Sequence, residues 1–534
     1  MATTKGSGGA HAGAQFDQND DSVVVVIGSG AGGGTMVHDL TKAGVNVVCL
    51  EAGAFFSIDD WVNNEWEAFG QMAWLDMRTT SGSWRMPRDF PNLPAWIVKA
   101  VGGTTTHWSG ATPRFHDHEW KARTYYGRID GANLLDWPVT ADEMRSYYST
   151  AEDRIGSTHT NGRAPLPANN NYFVLANGAE KLGYLYYATG PYGTNAEPYD
   201  GRPASIQDGF NFQGDKNGSK WSTLVSEIPK ALATGKLDLR PNSHVVQITH
   251  DASGRADSVL YLDADGTLQR QKARVVCVAG NSIETPRLLL MSASPQFPDG
   301  LANSSGQLGR NYMRHTTGSV YAQFDRPVHM YRGETMAGLI ADESRHDPDR
   351  GFAGGFYMET LSLGVPFLAS FVEPGLWGPE FTSIMDSYAN TAGMWIVGED
   401  MPQETNRVTL NHAVKDQHGL PVPNVHFDDH PNDVAMRNYG YQQGQLLYES
   451  VGALSSHRTP PYPATHNLGT ARMSERPEDG VTNAYGRAHD VPNLFVSDGS
   501  VFTTGAAANP TLTIVALAIR QAEHIVQSLK AQEL

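Results

Sequence analysis

Residues 23–34, VVVVIGSGAGGG, constrain the fold more than any other stretch of the chain. The apolar, β-branched run reads as a buried parallel strand. Gly28, Gly30 and Gly33 follow in G-x-G-x-x-G spacing, and Met36, Val37 and Leu40 then recur with helical period up to Gly44. A second apolar run, VNVVCLEAG, ends at Glu51. Strand, tight turn, helix, strand and acid in that order make a dinucleotide-binding βαβ unit. One glycine forms the turn, one lets backbone approach a pyrophosphate, and one allows close helix–strand packing. The phosphate falls on the helix N-terminus, and Glu51 stands where an acid takes up ribose hydroxyls. The motif alone does not separate NAD from FAD.

A chain of 534 residues exceeds what one core organises, about 250–300 residues, so two or more domains are expected. With 40% hydrophobic and 18% charged residues and 55 glycines, it reads as a globular protein with many tight turns. A formal charge of −17 leaves no basic stripe for phosphates and argues against a nucleic-acid partner. Cys49 and Cys277 are the only cysteines, each inside an apolar run. Two are too few for a four-cysteine iron–sulfur cluster or a cysteine-only zinc site, and no metal site is expected. No apolar run approaches the roughly 20 residues that span a bilayer, so membrane insertion is not expected. Residues 1–20 are small, polar and glycine-rich and read as a disordered leader without signal-peptide or twin-arginine pattern. The plain expectation is a cytoplasmic protein, with periplasmic export beside a signal-bearing partner as the alternative.

The tail is the most informative region. NLFVSDGS reads as a strand ending at Asp498 and Gly499, and AAANPTLTIVALAIRQAEHIV as a helix capped by Asn509 with Pro510 at its first position. The first half of that helix is apolar on all sides, so its N-terminus is buried. Its unpaired N–H groups would suit an anion such as the N1–C2=O region of a reduced flavin. The stretch LGVPFLASFVEPGLWGPEFTSIMDSYAN has weak periodicity and reads equally as a mobile substrate loop or an ordinary surface excursion.

Over nearly its whole length the sequence resembles the glucose–methanol–choline (GMC) FAD oxidoreductases, which oxidise alcohols. The resemblance rests on the dinucleotide motif ending at Glu51, VGGTTTHW (101–108), NSIETPRLLLMS, GRNYMRH (309–315), and the histidine and asparagine–proline of the tail. It implies an α/β, two-domain fold. A Rossmann-like FAD-binding domain would comprise 21–135, 231–310 and 456–534, and an antiparallel-sheet substrate-binding domain 136–230 and 311–455. Carried over, the catalytic pair is His466 and Asn509. His466 would take the hydroxyl proton while hydride passes to flavin N5, and Asn509 would orient the carbinol. Cofactor contacts fall to Gly28, Gly30, Ala31, Gly33, Glu51, Gly103, Thr105, His107, Trp108, Ser109, Val245, Asp498, Gly499 and Thr511. One departure stands out: where the family's second signature begins with glycine, this chain has Asn281-Ser282, with Gly280 one position early.

THWSGATPRF looks like pyranose 2-oxidase, whose flavin is bonded to the histidine of its T-H-W motif. The tail and DWPVTADEMRSYYSTAEDRIG look like the large subunits of bacterial FAD sugar dehydrogenases, and a sequence between the two also fits the glycoside 3-oxidases. The resemblance therefore implies oxidation of C2 or C3 of a pyranose or glycoside, with oxygen, a quinone or a redox protein as acceptor. It leaves the oligomeric state open. His107 has three readings: covalently bonded to FAD, an unlinked pocket residue, or a packed histidine beside Trp108. A steroid or aliphatic alcohol oxidase would share the fold but line its pocket with more apolar groups. A lyase retaining FAD, or a flavin-holding binding subunit, would turn over no alcohol.

Overall fold

The computed structural model describes residues 13–70, 73–74, 79–82, 96–209, 211–365, 368–369, 372, 375–462 and 464–534. Its labelled elements, in chain order, are β1 (Val24–Ile27), α1 (Ala31–Lys42), β2 (Val47–Leu50), α2 (Ala141–Ile155), β3 (Leu237–Arg240), β4 (Val275–Val278), α3 (Asn281–Met291), β5 (Thr316–Gln323), β6 (Phe356–Thr360), β7 (Thr391–Gly398), α4 (Pro431–Ser450), β8 (Leu494–Val496) and α5 (Thr511–Lys530).

Five strands form a parallel sheet in the order β8-β4-β1-β2-β3. Val24 lies opposite Val47 on one side and Val275 on the other. Every residue of β1, β2 and β4 is buried, as continuous apolar runs require when both faces of a sheet are covered. The period of two sorts them. Val24, Val26, Val47 and Cys49 face a core with Met36, Val37 and Leu40 of α1 and Ala522 and Ile525 of α5. Val25, Ile27, Val48 and Leu50 face a core shared with a three-stranded antiparallel sheet over 244–272, through Val245, Ile248, Val259 and Tyr261. Cys49 and Cys277 flank Val26 in neighbouring strands, both buried and free.

The second layer is a six-stranded sheet in the order 455–458, β5, β7, β6, 339–340, 187–188, antiparallel throughout. Alternation again assigns the faces. Phe356, Met358, Met394 and Ile396 pack with Met436, Tyr441 and Leu447 of α4. Tyr357, Trp395 and Val397 turn the other way, into the core that joins the two layers.

The chain is divided between the layers differently from the expected boundaries. Within 136–230, α2 docks on α5: Arg520 forks onto Glu143 (2.8 and 2.6 Å) and Tyr148 meets Thr513 at 2.8 Å. Thr223 packs against Gly34, and the helix Glu227–Ala233 lies along α1. These parts sit with the nucleotide layer, whereas strand 455–458 pairs with β5 in the other. Loop-rich composition marks this region as irregular, but charge and hydroxyl partners on distant elements decide where each piece docks. Residues 13–20, expected to continue the disordered leader, are held: Ala14 donates to Leu237 O (2.8 Å) and Phe16 to Asp238 (3.0 Å). Residues 1–12 lie outside the described residues. Among the described residues, no helix is long and apolar enough to cross a membrane.

Candidate active site

A cavity of about 740 Å³ runs between the layers past the carboxyl ends of β1, β2 and β4, where open α/β sheets bind their ligands. One end is lined by Glu51, Val245 and Met291, and the other by Trp395, His466 and Asn509. Gly28 takes φ +96°, which only glycine adopts freely. Two glycine-bearing backbones touch in the wall: a Cβ on Gly103 would lie 2.8 Å from Gly30 Cα. Gly33 does not line the cleft. Its absent Cβ would stand 2.1 Å from Gly28 O and 3.1 Å from the Ala279 side chain, so it serves helix–strand packing. All the other expected cofactor residues line the cavity: Gly28, Gly30, Ala31, Glu51, Gly103, Thr105, His107, Trp108, Ser109, Val245, Asp498, Gly499 and Thr511.

Glu51 accepts from Ser29 N and Oγ (3.0 and 2.7 Å) and from Gly53 N (2.9 Å), and Ser29 Oγ accepts from Gly102 N (3.0 Å). One carboxylate thus clamps the first glycine loop, which in turn holds the second. Burial raises its pKa against those bonds. Asp498 ties the end of β8 to α3 through Asn281 N (2.9 Å) and Thr285 Oγ1 (2.6 Å). Asn281, where the family has glycine, adopts φ +81°, and its Oδ1 accepts from Ile283 N and Glu284 N at the start of α3. Asparagine is the side chain best suited to that backbone after glycine, so the departure keeps the turn.

Both helix N-termini on the cleft are open. α1 begins at Gly30 and α5 at Pro510 with no side-chain cap and no acid in the first turn. Asn509 therefore does not cap α5 as expected; Pro510 holds that position. Two uncapped N-termini on one long cleft, walled by glycine backbone, fit the pyrophosphate and the flavin ring of FAD.

His107 stands on the cleft wall with Trp61 edge-on to its ring (5.1 Å). Thr106 Oγ1 donates to Gly103 O (2.8 Å), so it accepts from His107 Nδ1–H (2.9 Å), and Nε2 is left unprotonated, buried and without a partner. Burial, then the charge of Lys220, lowers the His107 pKa to about 3. Lys220 is itself buried and donates to Thr106 O (3.3 Å), Trp108 O (2.6 Å) and Asn211 O.

At the far end, a chain of hydrogen bonds assigns protons. The carbonyl of Gly505 can only accept, so His315 Nε2 donates to it (3.1 Å) and His315 Nδ1 becomes an acceptor. His466 Nδ1 lies 3.0 Å from that nitrogen and must donate, which leaves His466 Nε2 unprotonated and, among the described residues, without a hydrogen-bond partner. Both rings are neutral: burial lowers His315 to about 4 and His466 well below the usual range. Trp395 packs against His466 (5.7 Å) and lies opposite Glu359 in the β6–β7 register. Glu359 sets its carboxyl against the Asn509 amide, and burial pushes its pKa up to about 8 despite that contact. Asn509 Oδ1 and Trp395 Nε1 are buried and unpartnered. Other hydroxyls here are committed to the protein: Tyr388 to Leu363 O (2.7 Å), Tyr462 to Ser319 (2.6 Å), Tyr331 to His329 (2.8 Å) and Thr335 to Gly209 O (3.1 Å).

Models of the GMC oxidoreductase family match residues 92–317 and 402–518. The chain is also 36% identical to the 2-methyl-1,2-propanediol dehydrogenase of Mycolicibacterium austroafricanum, over 95% of both proteins. The chain belongs to the GMC oxidoreductases. It is 27% identical to the fructose dehydrogenase large subunit of Gluconobacter japonicus, over 95% of the chain and 98% of that protein. In fold it superposes on a formate oxidase of Aspergillus oryzae RIB40 with a TM-score of 0.68 at 15% identity, covering 97% of this chain and all of the other. This GMC oxidoreductase acts on CH–OH groups. The sugar enzymes expected from the motifs are represented among these relatives at lower identity than the diol dehydrogenase.

Sequence reasoning missed His315, Glu359 and Trp395. His315 closes the GRNYMRH motif, and that position was the available signal. Glu359 had one too, an acid inside the otherwise uncharged run FYMET, but only strand register shows that it lies opposite Trp395.

The titrations predict how stability depends on pH. Glu119 and Asp400 are pushed up to about 7, and Glu359 and Glu399 to about 8, all by burial. The folded state keeps these protons from about pH 4, where the unfolded chain loses them, up to 7 or 8, so these groups lower stability across that window and level off above it. His315 and His244 are held near 4 and act in the opposite sense between about 4 and 6.5, where the two sets offset each other. The melting temperature should therefore fall between about pH 6.5 and 8, and Glu359→Gln should lose less of it than wild type over that window. A melting temperature that climbs steadily to pH 9 would contradict these assignments.

Proposed function

We propose that this GMC oxidoreductase oxidises an alcohol with an apolar body and few further hydroxyls, a vicinal diol or simple aliphatic alcohol, with FAD as cofactor. The lining of the substrate end carries this reading. Phe212, Tyr331, Met336, Leu361, Leu363, Val365, Trp395 and Tyr462 surround the catalytic pair, and their hydroxyl neighbours are already bonded to protein. The polar side chains on the cavity wall include Asn63, Asn64, Glu65, Asn509, and Thr465 beside His466. A pyranose brings several hydroxyls, and each one buried without a partner costs about 1–3 kcal/mol, so the apolar share of this lining favours an alcohol with fewer. The relative that acts on a diol agrees with that reading.

FAD, when bound, supplies the hydride acceptor. His466 Nε2 takes the hydroxyl proton on its bare lone pair as the hydride leaves, burial keeping the imidazole neutral beforehand. That oxygen gives its one proton to His466 and can only accept from a second partner, so Asn509 holds it through an Nδ2–H and turns the carbinol C–H toward the cofactor side of the cleft.

The experiment is anaerobic mixing of the FAD-loaded protein with 2-methyl-1,2-propanediol, 1-butanol, glucose and a methyl glucoside. Bleaching by the diol or butanol at least about tenfold faster than by either sugar supports the proposal; faster bleaching by a sugar overturns the substrate class. His466→Ala should keep FAD and slow bleaching by about 10²–10⁴-fold. Bleaching at the wild-type rate would remove His466 from its role.

The same reading assigns His107 to a covalent bond with the flavin 8α-methyl, because its Nε2 lone pair is unprotonated, unpartnered and on the cleft wall. After acid precipitation the yellow colour should stay in the pellet and move to the supernatant in His107→Asn. Wild-type colour in the supernatant would rule the bond out.

A further inference from the structure

We propose that His315 is the positioning residue that holds His466 in its reactive tautomer. This rests on His466 being the base. Three observations support it. The order of donors is forced from one end: Gly505 O accepts from His315 Nε2, and His315 Nδ1 accepts from His466 Nδ1. The two rings stand perpendicular, at 89° with centroids 4.9 Å apart, so the nitrogen of one meets the other edge-on instead of stacking over it. The backbone is also shaped for this ring. His315 is buried at φ +57°, a region that non-glycine residues avoid, and Asp400 accepts from Arg314 N at 2.7 Å to hold it there. A Cβ on Gly505 would lie 3.3 Å from the His315 ring and 3.2 Å from Asp400 Oδ1, so glycine at 505 gives the carbonyl a close approach to the imidazole.

A neutral histidine exchanges its proton between two nitrogens, and the environment decides which one carries it. Without an acceptor at His315, nothing keeps the proton on His466 Nδ1. The population with Nε2–H then grows, and that form cannot take a proton from the alcohol. A carboxylate in the place of His315 would also fix the tautomer, but it would raise the pKa of His466. An imidazole backed by a carbonyl fixes the tautomer and leaves the base neutral. The other titratable groups around the pair are Asp400 and Glu399 following β7, Glu119 bonded to Ala507 N, Glu359 behind Asn509, and Arg314.

The test compares His315→Gly and His315→Asn, both of which tolerate the left-handed backbone, with His466→Ala as reference. Each protein is loaded with FAD and reduced anaerobically by 2-methyl-1,2-propanediol between pH 5 and 9. His315→Gly should slow flavin reduction about 10–100-fold at saturating alcohol, with the half-saturating concentration changed less than about threefold. Its rate should also gain an acidic limb near pH 6.5, where the wild-type rate is flat, because water now reaches His466. His315→Asn keeps an acceptor in the place of Nδ1 and should recover to within about fivefold of wild type. Wild-type rate and pH profile in His315→Gly, beside a dead His466→Ala, would overturn the proposal; so would His315→Asn as slow as His315→Gly with full FAD content. If His466→Ala also reduces normally, the base assignment has failed instead. Should His315→Gly not load FAD, ¹⁵N NMR of histidine-labelled wild type decides: His466 Nε2 unprotonated supports the proposal, and protonated overturns it.

Discussion

The molecule is organised around a contact between two backbones that carry no Cβ. Gly30, at the start of α1, and Gly103, in the VGGTTTHW segment, close to a distance at which a methyl group on Gly103 would reach 2.8 Å from Gly30 Cα. Glu51 reinforces the contact from behind, through Ser29 to Gly102. With the two loops joined, the N-terminus of α1 faces the cleft, and Thr105, His107 and Trp108 are carried along its wall. The same close approach recurs where α1 meets the end of β8: a Cβ on Gly32 would overlap Ser497 O at 1.6 Å. The chain after β8 runs on to Asn509 and α5, so backbone packing around the glycine loops also helps place the end of the cleft lined by His466 and Asn509.

Charge is handled at that end by burial instead of by pairing. Glu119, Glu359, Glu399 and Asp400 surround the 505–509 segment with their pKa values raised to about 7 or 8, and the two histidines are lowered. A cluster of ionised carboxylates here would draw positive charge onto His466 and spoil it as a base. Instead the acids serve as hydrogen-bond acceptors for strained backbone: Glu119 for Ala507 N at 2.7 Å, Asp400 for Arg314 N. Ala506, between them, sits at φ +55°. The stability cost of this arrangement builds from about pH 4 to the raised pKa values of 7 to 8, and it leaves a neutral imidazole at His466.

Much of this was legible in the chain. The glycine spacing and Glu51 specified the βαβ unit because each role is local, set by a few neighbouring residues. The tail motif offers His466 and Asn509 as the candidate pair, and the fold places both on the cavity wall. The residues packed against them were not legible, since they come from strands far away in sequence. His315 reaches His466 across 151 residues, and Glu359 comes opposite Trp395 only through the pairing of β6 with β7. The cap of α5 lies one residue beyond the expected Asn509, because asparagine before proline fits a cap equally well in sequence, and only the fold shows Pro510 in that position. The motifs point to sugar enzymes as the substrate class; which hydroxyl groups in the pocket already hold protein partners is tertiary and has no signature in sequence.

The central claim is that His466 meets its substrate with Nε2 unprotonated, held so by His315. Neutron diffraction from deuterated crystals of the FAD-bound protein at neutral pH would observe this directly. The account predicts deuterium on His466 Nδ1 and on His315 Nε2, and none on His466 Nε2. Deuterium on His466 Nε2, with Nδ1 bare, would contradict it.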